Sequence, residues 1–330
     1  MNFKKKAAIL SGVVAALALA NLLTFIFEPG KPKTSSFAWL DPSLLVAADY
    51  IEIHRSPGAN TNGTPGTPVV LVRRNNRWLL RGSEPQGSEL PVKQARVEDL
   101  LSALSRKAAY PKRAFSSEAR AALTLEEGRS SRILVRGGAG LPLLDLLIGT
   151  ADALGREVYL RKADQNDIYS GEDLFTVYTE SKRESWYDLK FFQTDKAVIT
   201  ADAVQQAEIR FFETSSPEDK AVNELLILRR QRSGWIIPGE EGAEIDSIRA
   251  ESWLRTVLEA EGEDFGFQTP AVYTKSITLR LGDGSSRTIQ AGPEGGDNRG
   301  SVVLSGSDLV YIIPEWTVKR LFRERSYFIQ

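Results

Sequence analysis

Few residues in this chain are suited to nucleophilic or metal chemistry. Its 330 residues include no cysteine and one histidine, His54. The lack of cysteine removes disulfides, zinc–thiolate sites, iron–sulfur clusters and thiol nucleophiles together. Any histidine-based triad or multi-histidine metal site within one chain would have to use His54. The stretch Tyr50-Ile51-Glu52-Ile53-His54 alternates apolar and polar residues. In a strand that alternation turns His54 away from the face carrying Ile51 and Ile53, so an exposed, solvated histidine is expected. No G-x-S-x-G elbow occurs, so the serine-hydrolase signature is missing.

Two loops carry suggestive composition. Asp164 to Asp173 reads DQNDIYSGED, and its oxygens are of the kind that bind hard cations. The acidic positions and terminal Glu do not meet the EF-hand spacing, so a solvated hairpin loop is expected. Gly292 to Gly300 reads GPEGGDNRG, with the strand-like Ser301 to Leu304 after it. A phosphate loop needs a helix N-terminus or a Walker lysine there, so a plain connection is expected. A carboxylate-dependent hydrolase is the least favoured class, since the separation of its carboxylates is a property of the fold. The expectation is no catalytic residue, no cofactor and no metal.

The arginines make the strongest pattern. Arg73, Arg74 and Arg77 precede Trp78, and Arg229, Arg230 and Arg232 precede Trp235. Guanidinium groups suit phosphate and carboxylate, so these eight residues are the candidate contact site for an acidic partner or an anionic envelope polymer. The plainer reading is a charged turn that keeps a sheet edge soluble. Trp78, Trp235, Trp186 and Trp316 are expected to be buried, as large aromatics at strand ends usually are.

The two arginine hairpins belong to a longer parallel. VVLVRRNNRWLL (Val69 to Leu80) resembles LLILRRQRSGWII (Leu225 to Ile237). A short strand precedes each, Tyr50 to His54 and Ala207 to Phe211. A helix follows each, about Gln94 to Lys107 and Ser247 to Glu261, with one apolar stripe. Next come hairpins turning at Gly137–Gly140 and at Gly282–Gly284. Each half closes with another hairpin, Glu157–Leu160 with Leu174–Tyr178 and Ser301–Leu304 with Val310–Ile313, then an aromatic-rich end. Runs of strands with a single helix predict an α+β class with mainly antiparallel sheets. The expected division is a basic tail and transmembrane anchor at 1–28, a tether at 29–48, and α+β repeats at 49–200 and 201–330.

The N-terminus sets the expected location. Ala7 to Phe27 carries no charge, and Lys4, Lys5 and Lys6 precede it. Such a helix would be about 31 Å long, close to the ~30 Å hydrocarbon core of a bilayer. Basic residues stay cytoplasmic. The expectation is a single-pass inner-membrane protein, N-terminus inside and bulk outside, with residues 7–27 in the lipid. The alternative is a secreted chain cleaved after Ala18-Leu19-Ala20. The apolar run continues through Leu22, Leu23, Phe25, Ile26 and Phe27, which favours the anchor. Lys+Arg is 42 against Asp+Glu 43, a formal net charge of -1. That balance, with export, argues against nucleic acid as a partner.

The paired strand-Arg-Arg-turn-Trp hairpins resemble a bacterial family called domain of unknown function 4340. So does the stretch Leu144 to Leu189. There Leu147-Ile148-Gly149 precedes Glu157-Val158-Tyr159-Leu160, then Ile168-Tyr169, then Ser185-Trp186-Tyr187-Asp188-Leu189. The resemblance spans roughly the whole chain, through motifs that are structural. It implies a membrane helix, a repeated β-rich exported region, and partnership with membrane subunits of ABC transporters of the gliding-motility type or with other envelope proteins. It supplies no catalytic residue. The expected function is a non-catalytic accessory component of an ABC-type transport or envelope assembly system. The alternative is a module that binds an envelope polymer or ligand through the Arg/Trp hairpins.

Overall fold

The computed structural model describes Leu17 and residues 34–57, 67–82, 88–192, 199–212, 222–240, 243–293 and 298–329. The expected anchor run lies outside the described residues apart from Leu17. Among the described residues, no helix is long and apolar enough to cross a membrane. The chain forms two compact units, Met1–Asn76 with Ala95–Ser181, and Arg77–Gln94 with Lys182–Gln330. The class is α+β, with antiparallel sheets and few helices.

Along the chain come β1 (Thr34–Phe37), β2 (Ala48–His54), β3 (Val69–Arg74), β4 (Arg77–Arg81), β5 (Glu89–Pro91) and helix α1 (Gln94–Ser105). Then follow β6 (Ala108–Ala114), α2 (Ser117–Ala122), β7 (Ser131–Gly137), β8 (Leu141–Ala151), β9 (Glu157–Lys162), β10 (Ile168–Glu172) and α3 (Thr176–Thr179). The chain continues with β11 (Val204–Phe212), β12 (Val222–Gln231), β13 (Gly234–Ile236), α4 (Ser247–Leu258) and β14 (Asp264–Gly266). It ends with β15 (Lys275–Leu281), β16 (Ser286–Ala291), β17 (Arg299–Leu304), β18 (Val310–Pro314) and α5 (Glu315–Leu321).

In the first unit the strands lie in the order β1-β6-β10-β9-β8-β7-β2-β3. In the second the order is β14-β18-β17-β16-β15-β11-β12-β13, and β4 pairs with β5. Seven consecutive positions correspond, from β6 through β3 in one unit and from β14 through β12 in the other. The sheets differ at one margin, where β1 extends the first beyond β6 and nothing among the described residues extends the second beyond β14.

Alternation explains the faces. Ile51 and Ile53 on β2, and Ala207 and Ile209 on β11, are buried. Each such isoleucine side chain contributes about 1.5–3 kcal/mol when fully withdrawn from water. Helix α1 buries Val97, Leu100 and Leu104 on one stripe, and α4 buries Ala250, Trp253, Leu254 and Val257. Asp246 caps α4 by accepting from the Ile248 and Arg249 amides. A smaller cluster of Leu125, Leu147 and Ile168 packs with Ala119 of α2. Asn75 and Asn76 adopt φ 47° and 66°, the two positive values that a tight hairpin turn needs.

Several expectations are corrected. Thr34–Phe37 forms strand β1 inside the stretch read as a tether, paired along β6 from Thr34↔Pro111 to Phe37↔Ala108. Packing overrides its weak local propensity. Phe37, Trp39, Tyr110 and Tyr169 form a ring cluster with centroids 5.0–5.7 Å apart. A Cβ on Gly171 would stand 2.6 Å from the Tyr110 ring, so that position in β10 needs glycine. The partner of β9 is Ile168–Glu172, not Leu174–Tyr178, and Thr176–Thr179 is helical. Phe175 and Thr176 donate their amides to Asp173 Oδ1, which starts a helical turn there. Trp316 is 59% exposed, not buried. It lies two residues before buried Val318 on α5, about 200° around the helix. Arg320 stacks on its ring, 5.6 Å from the centroid.

Candidate functional site

The candidate arginines and tryptophans divide between the two units. Arg73 and Arg74 belong to the first; Arg77, Trp78, Arg229, Arg230, Arg232 and Trp235 belong to the second. Trp78, Trp235 and Trp186 are buried, as expected. Both hairpin tryptophans are fixed through their backbone by the first residue of a helix. The Trp78 amide donates to Gln94 Oε1 at 2.9 Å, and Gln94 Nε2 donates back to the Trp78 carbonyl at 2.9 Å. The Trp235 amide donates to Ser247 Oγ at 3.1 Å.

Arg230 is engaged internally. Its guanidinium lies 4.6 Å from the centre of the Trp235 ring. Glu251 of α4 binds Arg230 at 2.6 Å and accepts from Trp235 Nε1 at 2.9 Å. Arg230 also donates to the carbonyls of Val204 and Ala201, each at 3.0 Å. This node joins the hairpin, the helix and the start of β11. Arg229 and Arg232 remain exposed, with Arg229 Nε donating to Gln206 Oε1 at 3.2 Å. Arg73 donates to the Val46 carbonyl at 3.3 Å and to Asn76 Oδ1. Arg74 is exposed and Arg77 half-buried.

Sequence reading missed a second feature, one carboxylate on the polar face of a central strand in each unit. In the first, Glu52 accepts from the Tyr50 hydroxyl at 2.8 Å, and His54 Nε2 lies 2.9 Å from Glu52 Oε1. His54 is therefore paired, not merely solvated. In the second, Glu208 is buried, yet it receives Arg210 at 2.9 Å, Arg280 at 2.8 Å and Gln206 at 2.9 Å. Burial pushes the Glu208 carboxyl up, and the hydrogen bonds from Arg210, Arg280 and Gln206 more than offset it, leaving it below the ordinary glutamate value. The signal was present in the alternation: Tyr50, Glu52 and His54 match Gln206, Glu208 and Arg210 in spacing.

The acidic loop is organised by a protein cation. Arg161, itself buried, donates from Nη1 to the carbonyls of Lys162, Ala163 and Gln165 at 2.8–3.2 Å. Lys112 binds Asp167 at 2.7 Å. Those oxygens are taken by side chains, and no cluster of three metal-binding residues occurs among the described residues. Of the Gly292–Gly300 segment, Arg299 and Gly300 already belong to β17, and residues 294–297 lie outside the described residues.

Fold and polar faces together define an α+β protein of two antiparallel-sheet units, in which the candidate residues Arg230 and Trp235 engage each other and Arg74, Arg229 and Arg232 stay exposed. The family model "Domain of unknown function (DUF4340)" matches residues 83–276, more than half of the chain, and the chain belongs to that family. No curated protein and no solved structure matches it.

Proposed function

We propose that the chain is a non-catalytic, membrane-anchored extracytoplasmic protein, an accessory component of an ABC-type transport or envelope assembly system. The observation carrying this is the uncharged run Ala7 to Phe27 behind Lys4–Lys6, which six residues later enters the sheet at Thr34. A span of that length suits a bilayer, and the lysines set its direction. The ring cluster around Phe37 and Trp39 makes the chain's entry into the first unit a firm attachment, suited to holding a body beside a membrane complex. The coincident order of seven strands supports a tandem duplication, with repeats at 49–200 and 201–330.

Co-purification of the tagged full-length protein from native membranes in mild detergent tests the partner. Recovery of transporter membrane subunits in stoichiometric amount is the expected result. A preparation that repeatedly holds none of them contradicts the accessory role.

A second reading, binding of an anionic envelope polymer, is favoured by Arg74 and Arg229 near the ends of their strands and Arg232 on its turn, all three exposed. Polymer retention that is lost on replacing them would move the weight to that reading.

A further inference from the structure

The antiparallel pairings fix which loops share an end of the first unit's sheet. Strand β1 runs from Thr34 beside Pro111 to Phe37 beside Ala108. The chain therefore arrives from the N-terminal run at the end where β6 finishes and Phe115 follows. Strand β10 starts at this end, because Ile168 pairs with Ala114. Following the pairings through β9, β8, β7, β2 and β3, the same end carries the β7–β8 turn, the residues before Ala48, and the Asn75-Asn76 turn. The strands from β6 to β3 cover about 30 Å at ~4.8 Å per step.

Three apolar side chains project from this end. Val46 is 85% exposed, Phe115 69% and Leu141 62%. Val46 and Phe115 each have a cation close by, and Arg136 stands on the strand beside Leu141, its guanidinium 5.5 Å from the centre of the Tyr50 ring. Arg73 donates to the Val46 carbonyl at 3.3 Å. Lys112 Nζ lies 5.7 Å from the centre of the Phe115 ring. Exposed Arg136 precedes Gly137, which pairs with Leu141. Carboxylates are present too: Asp41, Asp49, Asp164 and Asp167, the last bonded to Lys112. The opposite end exposes Leu154 and Val177; Asp152 and Arg156 flank the first, and Arg96 donates to the Val177 carbonyl at 3.2 Å, so the contrast between the ends lies in where the N-terminal run enters.

We propose that this end of the first unit, through Val46, Phe115 and Leu141 beside Arg73, Lys112 and Arg136, is a lipid-docking surface. It rests on the anionic headgroups of the bilayer that the N-terminal run enters. The inference depends on the anchor reading. It adds which face of the unit meets the membrane. Only six residues separate Phe27 from Thr34, and seven peptide steps reach at most about 25 Å. The strand end at Thr34 is thereby kept near the bilayer surface. Apolar and aromatic tips with flanking cations are the composition that settles at the boundary between headgroups and acyl chains.

The chain's lack of cysteine makes the test direct. Single cysteines are placed at V46C, F115C, L141C and, at the far end, L154C. The full chain is spin-labelled and reconstituted in vesicles of phosphatidylcholine and phosphatidylglycerol. Flotation and melting temperature are checked for each sample. The oxygen-over-nickel collision ratio should be several-fold higher at 46, 115 and 141 than at 154. It should fall when Arg73 and Arg136 are both replaced by Ala. Samples that float but give equal, water-like ratios at all four sites overturn the docking surface and leave the anchor standing. A folded chain that does not float overturns both. Labels shielded only in native membranes, with other proteins present, assign the surface to a protein partner and overturn the lipid reading.

Discussion

The two units share a strand order and a central-strand glutamate, and they differ in how the polar groups around them are used. Glu208 is enclosed by Arg210, Arg280 and Gln206, whereas Glu52 is held more openly by Tyr50 and His54. The Arg-Arg-turn-Trp motif diverges in the same way. In the second unit Arg230 folds onto Trp235 and Glu251. In the first, Arg73 lies over the Val46 carbonyl at the loop end of the sheet. A common apolar alternation sets the strand order in both. The polar residues between the apolar ones were free to take different work, structural in the second unit and superficial in the first.

The largest expected effect comes from removing the second unit's node. Trp235→Ala deletes a buried indole and leaves Arg230 and Glu251 without it, so it should cost about 3–5 kcal/mol, read by urea or thermal unfolding. A change below ~1 kcal/mol would break the claim that this motif is structural here. Gly171→Ala in the first unit should cost about 1–3 kcal/mol, because the new methyl group meets the Tyr110 ring and the cluster cannot yield freely. If β1 loosens with it, proteolysis near Trp39 should speed up.

Next comes the paired comparison of glutamates. Glu208→Ala should destabilise by about 1–3 kcal/mol and Glu52→Ala by less, because the first breaks charge-assisted bonds at a buried carboxylate. Equal losses would erase the distinction between the two faces. The pH dependence sharpens it. The folded Glu208 pKa lies below its ordinary 4.5, so its contribution is complete above that value and is lost as pH falls through the folded pKa. Glu208→Gln should flatten stability against pH in that acid window. Tyr311 behaves oppositely. Burial, with Asp188 next, pushes it up from 10.0 to about 12. Its contribution is complete below 10.0 and lost as pH rises towards about 12. Burial also raises Tyr110, Tyr169, Tyr178 and Tyr187, so absorbance of tyrosinate should lose its latest-titrating group in Tyr311→Phe. The smallest effect is expected of Arg232→Ala on its exposed turn, within about 0.5 kcal/mol.

The class, most strands and the helix stripes were legible because they follow from period-2 and period-3.6 patterns that burial enforces. Val97, Leu100 and Leu104 are an example. Strand β1 was not legible, since Thr34-Ser35-Ser36-Phe37 acquires its structure from Tyr110 and Tyr169, far along the chain. Trp316 was misread because aromatic type says nothing of the side of a helix it falls on. The arginine hairpins were visible in the sequence as a repeated motif. Their differing roles depend on Glu251 and Val46, which no local pattern links to them. Glu52 and Glu208 were visible as a matched spacing, but only pairing across strands shows that one is enclosed and the other half-open.

Topology of the intact chain in spheroplasts tests the central claim most directly. Epitopes are placed at both ends, protease is added outside, and membranes are extracted with alkaline carbonate. The account predicts a full-length chain that stays with the membrane, its C-terminal epitope digested and its N-terminal epitope protected. A mature chain beginning just after Ala20 in the soluble fraction, or a C-terminal epitope that resists protease, would contradict it.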